Sequence, residues 1–404
     1  MSSVENLHPI PSGKSPLHHV EEVEKSAPGG YHPVDIGDII DAGNRQYEVL
    51  HKLGYGGSST VWLVRLREAR DTTSYFALKI LCAEVTDSKE LSILQHLRDV
   101  AGSAHPNVIE VYDNFTISGP NGSHHCFVLP ILGPSLQKYK VIKGLSGPSR
   151  HRVCKQIASA VSFLHHNGIC HGDLTPSNIL FELPEIQSTD HLYHLLGPIK
   201  TEKLRTPKHS SPSHRPKRIV EAPDFSGLDN SLLSNTRIAD FGEAFFAIRP
   251  PRSLGVPIDF FQPEICFGYM PSAASDIWSL ACVIYKIHSS AFLFPTFFRI
   301  FEILVGTAVS YLGPLPDKWK GRFEFEEYGY REEGVLQTLI EPMWWFEDKP
   351  PEKSIDSRLS QEGPHLSIGQ REAIVRLLHE MVKYEPEKRL SAAKVVEFLE
   401  ALVF

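Results

Sequence analysis

The chain has 404 residues and carries 41 Lys and Arg against 48 Asp and Glu, a net charge of −7. Apolar residues make up 42% and charged residues 22%, which excludes a wholly disordered, collagen-like or coiled-coil protein and leaves one large domain or two lobes. The net negative charge argues against direct nucleic-acid binding, and six scattered cysteines without a C-x-x-C pair describe neither a disulfide framework nor a zinc site, as in a reducing compartment.

Residues 1–42 carry Pro, Ser, Gly, His and Glu without an apolar leader, and are expected to form a flexible N-terminal tail. From Tyr47 the pattern turns strand-like: Tyr47–Leu53, Val61–Leu66 and Tyr75–Leu81, with a Gly/Ser-rich segment between the first two. Asp87 or Ser88 is placed to cap a helix with Leu91, Leu94 and Leu97 on one face. Residues 43–132 therefore read as a small, strand-rich unit with one helix. Over 133–404 helical periodicity dominates, at Arg150–Asn167, Ser275–His288, Gln370–Tyr384 and Ser391–Leu402. Ala291–Leu312 is the most membrane-like stretch, but it holds Pro295, Arg299 and Glu302 and reads as buried helix, so no membrane role is expected. Residues 186–234 are long and poorly periodic, with seven Lys/Arg against Glu202 within Pro198–Arg218; they are expected to be a disordered basic insert.

Four motifs carry chemistry. Leu53-Gly54-Tyr-Gly56-Gly-Ser-Ser-Thr-Val61 is a glycine-rich turn between strands. It can bring backbone amides close to phosphate oxygens, though alone it is equally a plain hairpin. Lys79 sits inside an apolar strand beside Ala77, where it needs an anionic partner; Glu90, on the inward helix face, is a candidate, and Glu84, in the loop, is its rival. His171-Gly-Asp173 with Asn178 sets a carboxylate that can take a hydroxyl proton five residues before an amide oxygen suited to a hard cation. Asp240-Phe-Gly242 follows a strand. The joint order of these motifs, more than any one of them, points to a single chemistry.

In that order they resemble the eukaryotic protein kinases, whose signature is a glycine loop, a strand lysine, H-R-D-L-x-x-x-N and D-F-G. Gln262-Pro-Glu264 looks like the A-P-E end of the activation segment, Asp276 like the aspartate of a large-lobe helix, Arg389 like the arginine that pairs with that glutamate, and His105-Pro-Asn-Val108 like the small-lobe turn. Ser59-Thr-Val-Trp62, the long stretch between Asn178 and Asp240, and Leu312-Gly-Pro-Leu-Pro316 resemble the SR-protein kinases, a CMGC branch whose members act in the regulation of mRNA splicing.

The resemblance implies an α+β, bilobal fold: an antiparallel small lobe of five strands and one helix, and a mainly helical large lobe. It implies an ATP-dependent serine/threonine kinase with Leu53, Gly54, Gly56, Val61, Ala77, Lys79, Pro130 and Leu132 on the nucleotide. Lys79, held by Glu90, would grip the α- and β-phosphates, Asn178 and Asp240 would hold Mg2+, and Asp173 would be the catalytic base. The implied substrate is a protein serine or threonine, in Arg/Ser-rich sequence; a monomer of cytoplasm and nucleus is expected. Two departures stand out. Gly172 replaces the arginine of H-R-D, which removes a clamp for a phosphorylated activation loop, and Thr175 replaces a lysine that would touch the γ-phosphate. They define the alternative, a catalytically impaired, nucleotide-binding scaffold.

Overall fold

The structure, a computed structural model, describes residues 17–67, 74–86, 89–101, 104–204, 214–296, 298–330 and 340–404. Its contacts sort the chain into two units. The sheet unit comprises Met1–Asp87, Tyr112–Ile131 and Ile186–Leu228; the helical unit comprises Ser88–Val111, Leu132–Glu185 and Asp229–Phe404.

The sheet unit is built on six antiparallel strands: β1 (Ile39–Asp41), β2 (Gln46–Gly56), β3 (Ser59–Leu66), β4 (Ser74–Leu81), β5 (Asp113–Gly119) and β6 (Gly122–Leu129), in the order β1-β2-β3-β4-β6-β5. One strand more than expected is present, because β1 adds to the edge of β2. Alternation along the strands sends Tyr47 and Val49, Trp62 and Val64, Leu78 and Ile80, and Cys126 and Val128 into one core.

Three further members of that core come from segments expected to be disordered: Val34 and Ile40 from the tail, and Val220 from the insert. Residues 17–42 are thus a packed segment, with Tyr31 and Val34 almost wholly buried; residues 1–16 lie outside the described residues. The insert is also ordered where described. Ser188 caps a helix over Thr189–Leu196 that buries Leu192, Leu195 and Leu196, and Thr201–Lys203 pairs with Arg218–Val220. Residues 205–213, the middle of the basic run, lie outside the described residues. A few apolar side chains suffice here, because each enters a core that the sheet has already formed.

In the helical unit, α1 (Lys89–Ala101) turns Glu90, Ile93, Leu94 and Leu97 inward, as its periodicity requires. Its proposed caps, Asp87 and Ser88, lie outside the described residues. After α2 (Tyr139–Gly144) comes α3 (Gly147–His166), started by Ser146, whose hydroxyl accepts from the amide of Ser149. Further helices span Ala273–Ser289, Ile368–Met381 and Ala392–Ala401, the first two opened by capping boxes at Ser272 and Ser367. Among the described residues of the apolar stretch from Ala291, the helix spans Phe301–Leu312, and Pro295 disfavours helix in what precedes it. No described helix is long and apolar enough to cross a membrane.

A small sheet within this unit sets the geometry of the site. β7 (Leu132–Ser135) pairs with β9 (Ile179–Glu182), which pairs in turn with the strand Thr236–Ile238. Ile238 lies opposite Ile179, so Asn178 and residues 239–240 leave the sheet at the same end. The long insert leaves between these two paired strands. Lengthening such a connection costs little closure entropy, so the pairing survives. A short strand, β8 (Ile169–Cys170), pairs with Phe245–Phe246 beside them.

Candidate active site

In the sheet unit, the glycine-rich segment is the turn between β2 and β3, with Gly56 paired to Ser59 and Val61 paired to Lys79. Leu53 and Gly54 sit at a register shift in β2, between Lys52 and Gly54. Lys79 lies between Val61 and Phe127, with its side chain largely buried, and Ala77 lies opposite Leu129. Pro130 follows β6 in this unit, whereas Leu132 opens β7 in the helical unit. Lys79 belongs to the sheet unit and Glu90 to the helical unit.

In the helical unit, Asp173, Asn178, Asp240 and Glu90 come together around two turns. Asn178 donates from Nδ2 to the carboxylate of Asp173 at 2.8 Å and to its carbonyl at 2.9 Å. This leaves the Asn178 side-chain oxygen for a cation. Asp173 Oδ1 is shielded and has no hydrogen-bond partner among the described residues, so this carboxylate oxygen keeps its capacity to accept an O–H. Burial, together with the nearby carboxylates of Asp240 and Glu243, pushes the Asp173 carboxyl up to about 7, although the bond from Asn178 opposes the rise. Asp240 itself is one of four described non-glycine residues with positive φ, at 63°. That backbone turn reverses the chain straight after the strand, and Asp is among the residues that tolerate it.

The turn carrying Asp173 is fixed from beneath by Asp276. Its carboxylate accepts the amides of His171 at 2.7 Å and Gly172 at 3.0 Å, and His165 Nε2 at 2.9 Å. Burial alone would raise the Asp276 pKa, but these bonds hold it below the usual carboxylate range. His171 is fully enclosed, and burial lowers its pKa, so the ring is neutral. Its Nδ1 accepts from the Asp173 amide, which leaves Nε2–H to donate to the Ala239 carbonyl at 3.3 Å. One imidazole therefore links the turn of Asp173 to the chain entering Asp240. On the far side Phe241 donates its amide to Glu90 Oε1 at 3.3 Å and packs its ring against His171. Glu90 is thus tied to the backbone of the D-F-G segment.

One departure from the signature acquires a physical reason. Gly172 has φ of 75°, and a Cβ there would lie 2.5 Å from the carbonyl oxygen of Glu243. An arginine could not occupy this position without moving the D-F-G segment. Thr175 is buried and opens the 3-10 turn Pro176–Asn178, its carbonyl accepting the Asn178 amide. Its side chain makes no capping hydrogen bond, and nothing in the structure explains threonine in place of the lysine.

Other residues support the site in ways the motifs alone do not reveal. Gln262, read only as a variant of alanine in A-P-E, donates to the carbonyls of Phe260 and Ser275 and to Ser279 Oγ at 2.7 Å. It ties the end of the activation segment to the helix Ala273–Ser289. Asn107, in His105-Pro-Asn-Val108, donates to the Thr236 carbonyl at 2.7 Å and steadies the strand that leads to Asp240. A buried amide side chain that donates to a distant carbonyl is the common feature; sequence alone does not show which Asn or Gln has it.

Known proteins resemble this chain along most of its length. A family model described as protein kinase domain matches residues 47–192. A serine/threonine-protein kinase SRPK of Physarum polycephalum is 26% identical over 400 residues, covering 93% of this chain and 90% of its own. The protein kinase dsk1 of Schizosaccharomyces pombe is 34% identical over 380 residues, covering 70% and 68% respectively. The human SRSF protein kinase 3 is 34% identical over 188 residues, which is 43% of this chain and 32% of that protein.

Proposed function

This chain belongs to the protein kinase family, in its SRPK-type serine/threonine branch, and on that premise we propose how its residues divide the work. It is an ATP-dependent serine/threonine protein kinase, and its family uses a divalent metal. The division of labour rests chiefly on one observation: Asp173 holds a carboxylate oxygen without a partner among the described residues, beside Asn178 and Asp240 at one end of a small sheet.

Asp173 orients the substrate hydroxyl and accepts its proton through Oδ1 as the oxygen attacks the γ-phosphate. Asn178 keeps that carboxylate from rotating, through the bond from its amide nitrogen. The Asn178 side-chain oxygen and the Asp240 carboxylate are hard donors that suit Mg2+, which would neutralise charge on the phosphates when bound. In the sheet unit, Leu53 and Val61 with Ala77 would cover the adenine, and Gly54 and Gly56 let the turn approach the phosphates. Lys79 would contact the α- and β-phosphates, and Glu90 would orient it. The backbone of Pro130 and Leu132 would bond the adenine edge. Most of the acceleration comes from positioning and charge neutralisation. The alternative of an impaired scaffold has no support, since the relatives are named as serine/threonine kinases.

The preferred substrate is serine within Arg/Ser-rich protein sequence, a reading supported by the SRPK-type relatives; a kinase of such substrates would work in both cytoplasm and nucleus. The test is initial-rate phosphorylation of an Arg-Ser repeat peptide against the same peptide with every Arg changed to Lys. Arginine presents a planar fork that lysine lacks, so kcat/KM should fall about tenfold or more, equal to ~1.4 kcal/mol of lost recognition. Equal rates on the two peptides would remove the Arg/Ser assignment and leave the kinase activity untouched.

A further inference from the structure

The turn between β2 and β3 presents three successive carbonyls, of Gly56, Gly57 and Ser58, and each accepts a hydrogen bond from outside the hairpin. Tyr31 donates its hydroxyl to Gly56 O at 2.7 Å, Lys25 Nζ reaches Gly57 O at 3.3 Å, and the Cys82 amide donates to Ser58 O at 2.8 Å. In a planar trans peptide the C=O and the N–H that follows it point in opposite directions. Holding the Gly56 and Gly57 carbonyls therefore turns the amides of Gly57 and Ser58 to the opposite side of the turn. On that side the two amides are available to donate to an anionic oxygen.

The segment that supplies two of these donors is itself firmly anchored. Lys52, whose side chain is wholly buried next to Leu53, forms an ion pair with Glu21 and lies over the Trp62 ring. Gly29 donates its amide to Asn121 O, and the carbonyls of Gly29 and Gly30 accept from Glu84 and Ala83. Gly30 cannot be replaced freely, since a Cβ would overlap the Lys25 carbonyl. Asn121 Nδ2 donates to the Tyr31 carbonyl at 2.6 Å. The insert closes over the same segment: Asp35 accepts the amides of Lys217 and Arg218, Ala222 donates its amide to His19 O, and His214 bonds Asn121. Tyr31 is enclosed, and burial pushes its phenol up to about 12, so it remains a donor at neutral pH.

We propose that residues 17–35 form a strap, stapled by the insert, in which Tyr31 and Lys25 are positioning residues that set the glycine turn for the phosphates of ATP. The inference rests on reading the β2–β3 turn as the nucleotide flap. It gives the ordered tail and insert a task in the reaction beyond filling the sheet's core.

The experiment compares wild type, Tyr31→Phe, Lys25→Met and the double variant, with Leu53→Ala as a flap control. For each, KM for ATP, KM for a peptide substrate, kcat and Tm are measured, with nucleotide Kd by titration of Mg-ATP. Tyr31→Phe keeps the buried ring and removes one donor, so KM and Kd for ATP should rise about fivefold, the worth of a single net hydrogen bond. The double variant should rise further, with peptide KM nearly unchanged and Tm lower by only a few degrees. If ATP KM stays at the wild-type value in the double variant while Leu53→Ala raises it, the strap inference falls and the flap reading stands. If Leu53→Ala also changes nothing, the flap reading fails and takes the inference with it. A fall in Tm with parallel losses in both KM values would show a merely structural segment, and would also overturn it.

Discussion

Asp240→Asn should reduce phosphate transfer by ~10³-fold or more while leaving the fold intact, because a lost cation ligand removes several kcal/mol of transition-state stabilisation. Asparagine is the informative replacement. Asp240 has φ of 63°, a conformation that Asn adopts readily and that costs most other residues roughly 1–2 kcal/mol. Alanine would mix that strain with the loss of charge; asparagine removes the charge alone. The check is kcat with saturating Mg-ATP together with thermal denaturation. A variant that folds normally and still transfers phosphate at the wild-type rate would remove Asp240 from the metal site.

The second large effect is structural. Arg389 and Glu264 form a bidentate pair with both side chains wholly buried, each N–H···O distance being 2.7 Å. The guanidinium also donates to the carbonyls of Lys383, Ala274 and Tyr384 and lies over the Trp278 ring. Arg389→Ala leaves the Glu264 carboxylate buried and unpaired, which costs roughly 3–5 kcal/mol. For a unit of this size Tm should fall on the order of 10 °C. Arg389→Lys should recover little, because an ammonium cannot make the same paired contact. Calorimetry decides this, and an unchanged Tm in Arg389→Ala would show that the pair contributes nothing net. Glu264 closes the activation segment, which Gln262 ties to the helix beyond it. Peptide phosphorylation should therefore weaken along with stability.

The chemistry of the site was legible because its residues are fixed by local motifs. His171-Gly-Asp173 with Asn178 occupies two consecutive turns, and the helices of the helical unit announce themselves by periodicity and by Ser caps such as Ser146 and Ser367. What joins distant segments was not legible. The pairing of β9 with Thr236–Ile238 crosses the whole insert, and nothing in either three- or four-residue run names its partner. The same holds for Glu21 with Lys52, and for Val34 and Val220 in the core of the sheet. Those segments look disordered because their apolar residues are few and their composition is polar. They are ordered because the sheet offers a nonpolar face that needs only a few side chains to cover it. Gly172 shows the converse: its substitution for arginine reads as a lost regulatory clamp, yet the backbone at φ 75° against Glu243 supplies a steric reason for glycine.

The most direct test of the catalytic assignment is transfer of labelled phosphate from Mg-ATP to a serine peptide, by wild type and Asp173→Asn side by side. Nucleotide affinity and Tm are recorded for both. Wild type should transfer, and the variant should bind ATP and fold equally well but react 10²–10⁴-fold more slowly, the usual contribution of a positioned general base. Equal rates in the two proteins would contradict the role given to Asp173 and to the carboxylate oxygen it leaves unpaired.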